Sequence, residues 1–445
     1  MSDIYDVVII GGGVTGTALL YQLAEFTDLS RLAIVEKYGE IAVVNSHGSN
    51  NSQTLHCGDI ETNYTLEKAI HVRDTAKMVV NFASNKGVAD TCLARFSKMV
   101  LAVGEQECQS LKERFELFKP HFPAMQWMER DDISESEPAI AKNRTEKINA
   151  IGIFDEYTAV DFQKLSQAFI QQAEQYSDTK NIDVVLNCFV NSIEQSNEFY
   201  TIKTNKSELK ARFVVVSTGG HSLLFAQKMG YGLNYSCMPV AGSFYFIPKL
   251  LKGKVYTMQN DKLPFAAIHG DPDLLVPDKT RLGPTALMLP VLERYNWKTF
   301  FDFLQVLRLD KSVLKVFFNL FSDKDIRHYM LKNILFEIPL IRRRLFLKDA
   351  KKIIPSLTLA DLTFASKVGG VRPVMIDKEK VSLHLGEAQI NPGTGIIFNM
   401  TPSPGATSCL GNAEKDLRTI VNYLGCNFDE TAFNKVLKNN VSASE

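Results

Sequence analysis

Short apolar runs that end in glycines mark the beginning of the chain. Residues 5–10 read YDVVII and lead into Gly11-Gly12-Gly13, a pattern that predicts a buried parallel strand entering a tight turn. Residues 14–26 follow as a helix and residues 31–36 as a second strand. Together they predict a βαβ unit of about 30 residues, the size of one dinucleotide-binding half.

The apolar pattern further along predicts a mixture of helices and strands. Residues 237–290 alternate β-rich stretches with Gly and Pro turns, which favours an antiparallel sheet, and residues 297–350 favour aromatic-rich helices. The other predicted helices span 66–83, 105–118, 161–176 and 406–424, and the other strands lie around 183–194, 199–204, 211–217 and 395–399.

Composition and charge narrow the class of protein. Lys+Arg and Asp+Glu are both 50 in 445 residues, so no basic excess points to nucleic acid, and we expect no nucleic-acid partner. The seven cysteines form no CxxC pair, which predicts neither a disulfide framework nor a metal site. We find no signal segment and no apolar run near the roughly 20 residues that span a bilayer, so any membrane contact is expected to be peripheral.

The turn Gly11-x-Gly13-x-x-Gly16 has the spacing of a dinucleotide site. Gly11 permits the tight turn, Gly13 lets the backbone approach a pyrophosphate, and Gly16 lets the helix pack close to the strand. Glu36 ends the next strand and is placed to accept hydrogen bonds from ribose hydroxyls. The cofactor-binding residues predicted here are Gly11, Gly13, Thr15, Gly16, Glu36 and Lys37.

Later segments favour FAD over NAD. A second apolar strand ends in Thr218-Gly219-Gly220, and Val190 precedes it on an earlier strand, as in flavoproteins with two dinucleotide-type strands. The turn Pro404-Gly405-Ala406-Thr407 begins a helix that Ser403 or Thr407 could cap, and its N–H groups could face the flavin pyrimidine. The polar loop at 41–63 is predicted to line the flavin through Ser52, Gln53, Thr54 and His56, with FAD held non-covalently.

The chain is longer than one hydrophobic core usually supports, so we expect two domains. The predicted fold is a Rossmann-like α/β flavoprotein with a discontinuous FAD domain and an inserted, β-rich substrate domain with an antiparallel sheet. The FAD domain is assigned residues 1–80, 150–235 and 365–445. The substrate domain is assigned residues 81–149 and 236–364.

Several long and unusual segments resemble the malate:quinone oxidoreductase family. They are VVIIGGGVTGTAL, NSQTLHCGDIETNYT, PVAGSFYF, PFAAIHGDPD, TRLGPTALMLP, GGVRPV and FNMTPSPGATSCL, and the resemblance covers nearly the whole chain. It implies FAD-dependent oxidation of L-malate to oxaloacetate, a step of the tricarboxylic acid cycle, with electrons passed to a membrane quinone. It also implies a peripheral position on the cytoplasmic side of the inner membrane.

A dicarboxylate substrate needs cationic anchors and a base for its hydroxyl proton. Arg372 in Gly-Val-Arg-Pro matches the position where related flavoenzymes hold the substrate carboxylate, and Arg281 is the second candidate anchor, unless it pairs with Asp271 or Asp273. His269 is the predicted base and His56 its rival. Tyr245 is predicted to orient substrate, or else to be a strand aromatic.

Residues 297–350 admit two interpretations. The aromatic residues there fit a helical core layer, or, with Arg342, Arg343 and Arg344, a surface that dips into the bilayer and admits quinone. Three alternative functions stay open at this point. They are a FAD oxidase or dehydrogenase for another 2-hydroxy acid such as 2-hydroxyglutarate, a non-redox FAD-binding protein, and an NAD-linked dehydrogenase.

Overall fold

A computed structural model describes residues 4–259, 267–384, 386–402 and 404–439 of the chain. Ser403, one of the two predicted helix caps, lies outside these ranges. So do residues 264–266 at the start of the PFAAIHGDPD stretch.

Strands and short helices alternate along the chain. In chain order the strands are β1 (Ile4–Ile10), β2 (Arg31–Val35), β3 (Leu93–Arg95), β4 (Lys98–Val103), β5 (Gln126–Met128), β6 (Ile148–Ile153), β7 (Tyr157–Val160), β8 (Asn181–Val185), β9 (Val190–Gln195), β10 (Tyr200–Thr204), β11 (Glu208–Val216), β12 (Tyr235–Ala241), β13 (Tyr245–Pro248), β14 (Lys254–Thr257), β15 (His269–Pro272), β16 (Lys279–Gly283), β17 (Leu287–Met288), β18 (Thr363–Phe364), β19 (Val371–Asp377), β20 (Ser382–His384), β21 (Ala388–Ile390) and β22 (Ile396–Met400).

The helices are α1 (Val14–Phe26), α2 (Leu66–Asn85), α3 (Ala89–Cys92), α4 (Glu105–Phe118), α5 (Arg130–Ser136), α6 (Pro138–Ala141), α7 (Phe162–Glu174), α8 (Gly220–Lys228), α9 (Phe300–Leu307), α10 (Lys311–Ser322), α11 (Lys324–Leu335), α12 (Arg342–Ala350), α13 (Cys409–Leu424) and α14 (Glu430–Phe433). A 3₁₀ turn precedes α9 at Trp297–Thr299, and a π-helical turn follows α14 at Asn434–Lys438.

The first sheet has the strand order of a dinucleotide-binding fold. Its parallel strands run β22-β11-β1-β2-β8, which is the Rossmann order 5-4-1-2-3. The β9–β10 hairpin extends from β11, and β21 pairs antiparallel with β22. The strand order reverses between β1 and β11, so the carboxyl ends of these two strands open a crevice in which a ligand can lie.

Two further multistranded sheets are separate from the first, and β3 and β7 form a two-stranded sheet of their own. One has the order β18-β13-β16-β15-β14-β4-β6-β5 and is antiparallel except where β14 pairs with β4. The smaller sheet, β17-β12-β19-β20, is antiparallel throughout. The substrate-side sheets are therefore mostly antiparallel, with one parallel pair.

Sheet membership corrects the predicted domain boundaries at two places. The boundary at residue 150 cuts β6, whose partners β4 and β5 both belong to the substrate side. Strands β19 and β20 were assigned to the FAD domain, but β19 pairs along its whole length with β12 of the smaller sheet. Pairing between distant strands decides membership here, and the sequence pattern does not show it.

Two predicted elements also differ in extent. The strand expected around 183–194 is two strands, β8 in the parallel sheet and β9 in the hairpin, separated by a turn with Asn187 at φ 51°. The last long helix begins at Cys409 rather than Ala406, because residues 404–408 form successive turns before it. Thr407 therefore does not cap α13.

Within the described ranges, no helix combines the length and apolar character that a membrane crossing requires.

Candidate functional site

The glycine turn after β1 is shaped by close backbone contacts. Gly11 has φ 111° and donates its N–H to the Val35 carbonyl at 2.8 Å. A Cβ at Gly11 would overlap the Ser217 carbonyl oxygen, and a Cβ at Gly16 would overlap the Gly11 carbonyl oxygen. Both positions thus require glycine for space, and Gly11 requires it for conformation as well.

Glu36 closes the turn from the side of β2. Its carboxylate accepts the Gly12 N–H at 2.8 Å and the Tyr38 N–H at 2.9 Å. Burial raises the pKa of Glu36, while these two hydrogen bonds act in the opposite direction. Lys37 forms an ion pair with Glu293, which also accepts the Tyr38 hydroxyl at 2.6 Å. The two acidic residues therefore border the place expected for a ribose.

A cavity of about 450 Å³ extends from this turn across the ends of β1 and β11. The residues predicted on the dinucleotide side all line it, with the exception of Gly16. Gly16 instead allows α1 to pack closely against the glycine turn. The predicted residues that line it are Gly11, Gly13, Thr15, Glu36, Lys37, Val190, Thr218, Gly219, Gly220 and Ala406. The lining runs from Glu36 after β2 to Thr401 and Ala406 after β22, so the cavity spans the crevice in which such folds hold a dinucleotide.

A second cavity, of about 140 Å³, continues from the first. The two cavities share Asn45, Pro373, Thr401 and Ala406 in their walls. Ser52, Thr54, His56, Arg372, Pro404 and Thr407 line the second cavity. The two cavities thus form one cleft, with polar groups concentrated at the end away from the glycine turn.

Two of the predicted lining residues do not face either cavity. Gln53 is 2% exposed, with φ 51°, and its side chain accepts the Leu274 N–H at 2.8 Å and donates to the Gly48 carbonyl at 3.1 Å. It therefore supports the loop from behind. Gly405 lies in the 404–408 turns, where a Cβ would crowd the Thr401 carbonyl oxygen, so its role is to allow that close turn.

Arg372 is the cationic side chain of the second cavity that carries a permanent charge. It lies on β19, opposite Val240 of β12, and both residues line the cavity. Burial lowers the pKa of Arg372, and the nearby phenols of Tyr64, Tyr329 and Tyr256 act against that shift. Among the described residues no carboxylate forms an ion pair with it. A half-buried guanidinium that faces a cavity without a carboxylate partner among the described residues is suited to bind a carboxylate in bidentate fashion.

His56 faces the same cavity and has a carboxylate behind it. Its Nδ1 lies 2.8 Å from Glu61 Oε1, and its backbone N–H donates to Thr407 Oγ1 at 3.1 Å. Burial by itself raises the pKa of Glu61, but the hydrogen bond and charge of His56 leave it below its usual value. An ionised Glu61 favours a proton on Nδ1, so Nε2 is left as the acceptor. His56 can thus take a proton from a bound molecule.

His269 does not reach the cavities, which corrects its assignment as the base. The side chain is 3% exposed, its Nδ1 lies 2.5 Å from Asp271 Oδ2, and Tyr256 stacks on its ring at 4.5 Å between centroids. Burial lowers the pKa of His269, against the opposing charge of Asp271. His269 is therefore a neighbour of the site rather than part of its wall.

Arg281 and Tyr245 are corrected in the same way. Arg281 forms an ion pair with Asp273 and donates from Nη1 to the carbonyls of Gly48, at 3.1 Å, and Asn51, at 2.7 Å. These hydrogen bonds use the donors of Arg281 to hold the loop. The ion pair with Asp273 is the alternative that the sequence left open. Tyr245 is fully buried and stacks on Phe346 at 4.0 Å. It is a core aromatic of β13.

The sequence interpretation missed Lys254 and Glu61. Lys254 is buried, and its Nζ donates to Thr54 Oγ1 at 3.1 Å, Asp271 Oδ1 at 3.1 Å and the Ser52 carbonyl at 3.4 Å. No local pattern around Lys254 marks it, because its partners come from distant segments. Glu61 could have been found, since it lies five residues after His56 in the same polar segment.

One cluster of a thiol and two carboxylates does not require a bound metal ion. Cys57, Asp59 and Glu156 bring one ligand atom each within 4.8 Å of one another. Lys98 Nζ already lies 2.7 Å from Asp59 and 3.3 Å from Glu156. The ammonium group supplies the positive charge at this place, so the cluster gives no ground for a cation site.

Replacing Gly11 by alanine is expected to abolish flavin binding, because the new Cβ would overlap the Ser217 carbonyl at the crevice. The measurement is the flavin absorbance of the purified variant relative to protein. Gly87→Ala is the matched control, since Gly87 also has positive φ (68°) but open space where the Cβ would be. That control is expected to lose about 1 kcal/mol of stability and keep its flavin. A yellow Gly11→Ala protein with full occupancy would contradict the prediction.

Comparison with known proteins gives a consistent family. Residues 3–286 match the family described as malate:quinone oxidoreductase (Mqo). The chain is 49% identical over 444 residues to a probable malate:quinone oxidoreductase of Campylobacter jejuni, covering 97% of this chain and 99% of the relative. It is 47% identical over 445 residues to a malate:quinone oxidoreductase of Helicobacter pylori, covering 98% of each chain.

Solved structures with a similar fold are flavoprotein oxidases. The L-α-glycerophosphate oxidase of Mycoplasma pneumoniae, solved with FAD bound, superposes with a TM-score of 0.64 at 18% identity, covering 99% of this chain and all of the other. The glycine oxidase of Geobacillus kaustophilus gives a TM-score of 0.66 at 16% identity with the same coverage. At such identities the likeness concerns the fold, which is that of a two-domain flavoprotein.

Proposed function

The chain belongs to the malate:quinone oxidoreductase family, and from this membership we propose that it oxidises L-malate to oxaloacetate with bound FAD and passes the electrons to a quinone. The observation that carries the proposal is the cleft itself. Its larger part has the glycine turn and Glu36 that suit the adenosine and pyrophosphate of FAD. Its smaller part holds one guanidinium and one imidazole.

The residues of the chain fit FAD as a non-covalent cofactor. Gly11 and Gly16 leave no room for a Cβ beside the pyrophosphate position, and Glu36 is available to the ribose. Thr218–Gly220, Val190 and Ala406 continue the same wall. When bound, FAD supplies the two-electron acceptor for the hydrogen on C2 of malate.

The substrate chemistry is divided between Arg372 and His56. Arg372 binds a carboxylate of malate and so orients the molecule in the smaller cavity. His56 Nε2 accepts the hydroxyl proton as the C2–H bond breaks. Glu61 holds the imidazole by Nδ1 and stabilises the imidazolium that results. In this scheme His56 takes the role that the sequence interpretation gave to His269.

Adding L-malate to the purified protein under anaerobic conditions is expected to bleach the flavin absorbance band fully, with one malate consumed per flavin. A soluble quinone should restore the band, and oxygen should restore it far more slowly. Denaturing the protein should release free FAD, as expected for non-covalent binding. A flavin that 2-hydroxyglutarate bleaches faster than malate, and that oxygen reoxidises, would instead support an oxidase for another 2-hydroxy acid. No bleaching by either acid would favour a structural flavin.

Peripheral membrane contact is part of the proposal, and residues 297–341 support it. Large apolar side chains are exposed there, among them Trp297, Phe301 (70%), Leu314, Phe318 (71%), Leu331 and Leu340 (90%). We name these exposed side chains of residues 297–341 the apolar surface. The core-layer interpretation holds for Phe300, Phe303 and Phe317, which are half-buried, and fails for Trp297, Phe301, Phe318 and Phe321.

The charge of the residues around the apolar surface favours an anionic bilayer as its binding partner. Residues 297–350 contain eleven Lys and Arg against six Asp and Glu, while the whole chain has zero net charge. Basic residues bordering an apolar surface suit the anionic lipid of a cytoplasmic leaflet. A bilayer there also gives quinone a route, because Asp302 of α9 lines the cofactor cavity while its neighbour Phe301 belongs to the apolar surface.

The double variant Phe301→Ser and Phe318→Ser is expected to weaken binding to vesicles containing phosphatidylglycerol by at least tenfold. Each phenyl ring that enters the interface contributes on the order of 1–2 kcal/mol. Flotation of the protein with vesicles measures this. Leu117→Ser is the control, since Leu117 is 60% exposed on α4 and is not one of the residues that form the apolar surface. Equal flotation of the double variant, the control and the unchanged protein would count against this surface.

A further inference from the structure

Helix α11 has two faces with different surroundings. Leu331 (54% exposed), Ile334 (48%) and Leu335 point outward and belong to the apolar surface. Met330 and Asn333 are buried on the opposite side, and Tyr329 is half-buried beside them. One short helix therefore joins the proposed lipid-binding surface to the interior of the protein.

The inner face of α11 is bonded to the wall of the substrate cavity. Asn333 is 2% exposed, and its Oδ1 accepts the N–H of Ala286, a residue of that wall, at 2.7 Å. Asn333 Nδ2 donates to the Tyr329 carbonyl at 2.8 Å. The Tyr329 ring packs against the apolar cluster that includes Val240 and Ala286, both of which line the cavity.

The same inner face lies beside Arg372. Arg372, Val374 and Ile376 point to one face of β19, because side chains alternate along a strand. Val374 and Ile376 belong to the cluster against which Tyr329 packs. Tyr329 is also one of the phenols near enough to enter the electrostatic surroundings of Arg372, although burial raises the pKa of Tyr329 and keeps that phenol neutral. A displacement of α11 would therefore change the packing around the Arg372 guanidinium.

From this arrangement we propose that α11 couples lipid binding to substrate binding: contact of its outer face with a bilayer holds Tyr329 and Asn333 against the cavity wall, and the Arg372 site then binds dicarboxylate more tightly. The physical basis is that a helix of twelve residues has little stability of its own and depends on burial of its faces. Off the membrane, the outer face of α11 faces water. On the membrane, both faces are buried and the helix is held in place.

This inference rests on the proposed function and adds regulation of the same site. It requires reciprocity, because coupling between two binding equilibria has the same magnitude in both directions. If vesicles tighten dicarboxylate binding by a given factor, the dicarboxylate must tighten vesicle binding by that factor. Tyr329 and Asn333 are positioning residues in this account, since neither lines the cavity.

The test measures the Kd of oxaloacetate for the oxidised holoenzyme, from the change in flavin absorbance, with and without vesicles of phosphatidylethanolamine and phosphatidylglycerol. We expect vesicles to lower this Kd about five- to tenfold, and oxaloacetate to improve flotation by the same factor. Asn333→Ala should float with vesicles as the unchanged protein does, but its oxaloacetate Kd should be the same with and without vesicles. The double variant Leu331→Ser and Ile334→Ser changes only the exposed face. It should keep the vesicle-free Kd of the unchanged protein, and vesicles should no longer lower that Kd.

The outcomes separate this inference from its premise. A holoenzyme that is not bleached by malate, or does not float, would defeat the proposed function itself. A holoenzyme that is bleached and floats, yet has the same oxaloacetate Kd with and without vesicles, would overturn only the coupling. An Asn333→Ala protein that keeps the full vesicle effect would also overturn it. If that variant does not fold, the outer-face double variant decides the question.

Discussion

Replacing Arg372 by alanine is expected to lower kcat/KM for malate by roughly 100- to 1,000-fold while the protein keeps its flavin. Removing one partner of a charge-assisted contact that substrate binding would bury costs about 2–5 kcal/mol, and Arg372 is the permanent cation in the wall of the smaller cavity. Steady-state kinetics with a soluble quinone measure the loss, and the ratio of flavin to protein confirms that the cofactor site is intact. Arg372→Lys should recover only part of the activity, because an ammonium group does not bind a carboxylate in bidentate fashion.

Two arginine controls separate a substrate role from a structural one. Arg212 of β11 is half-exposed, pairs with Asp6 of β1 at 3.4 Å and lines neither cavity, so Arg212→Ala should leave the kinetics unchanged. Arg281→Ala should instead destabilise the fold by several kcal/mol, because it leaves Asp273 buried without its partner. An Arg372→Ala enzyme with the unchanged kcat/KM would remove Arg372 from the substrate site.

Replacing His56 by glutamine is expected to lower kcat by about 100- to 10,000-fold, the usual contribution of a positioned general base. The substitution keeps a polar side chain of similar size, so malate binding should change little and the loss should fall on kcat. The rate of anaerobic flavin bleaching in a stopped-flow instrument reports the chemical step directly. Glu61→Gln should give a smaller loss, because the imidazole remains but its orienting charge is gone.

The pH dependence distinguishes His56 from His269. A base must be unprotonated to act, so the bleaching rate should fall on the acid side of its pH profile, and this acid limb should vanish in His56→Gln. The pKa of Glu61 lies below its usual value, so protonation of Glu61 is not expected to cause a limb near neutral pH. In His269→Gln the acid limb should persist. Should the limb vanish in His269→Gln and persist in His56→Gln, the two roles would have to be exchanged.

Local sequence signals were sufficient for the family, the fold and the class of enzyme. The family resemblance, the flavoprotein fold and the assignment to an oxidoreductase are confirmed by the comparisons. These signals work because the glycine turn and its strand and helix are contiguous, and at Gly16 a Cβ would overlap the carbonyl oxygen of Gly11 in the same turn. The site residues themselves remain predictions, and the structure already corrects Gln53, Gly405, His269, Arg281 and Tyr245.

The substrate side depended on contacts between distant segments. His269 and Arg281 have side chains suited to a base and to a carboxylate anchor. In the structure, however, Asp271 binds the first and Asp273 binds the second. His56 became the candidate base because the loop that carries it meets β19, more than 300 residues later, at one cavity. A residue's type is visible in the sequence, whereas its accessibility and its partner are properties of packing.

The sequence by itself determined the dinucleotide turn, the order of helices and strands around it and the family, because periodicity and glycine geometry are local. Only the tertiary structure decided which charged side chains line the smaller cavity, which strands share a sheet, and that the aromatic helices leave an apolar surface exposed. These depend on strand pairing and on burial, and both bring together residues that no short pattern connects.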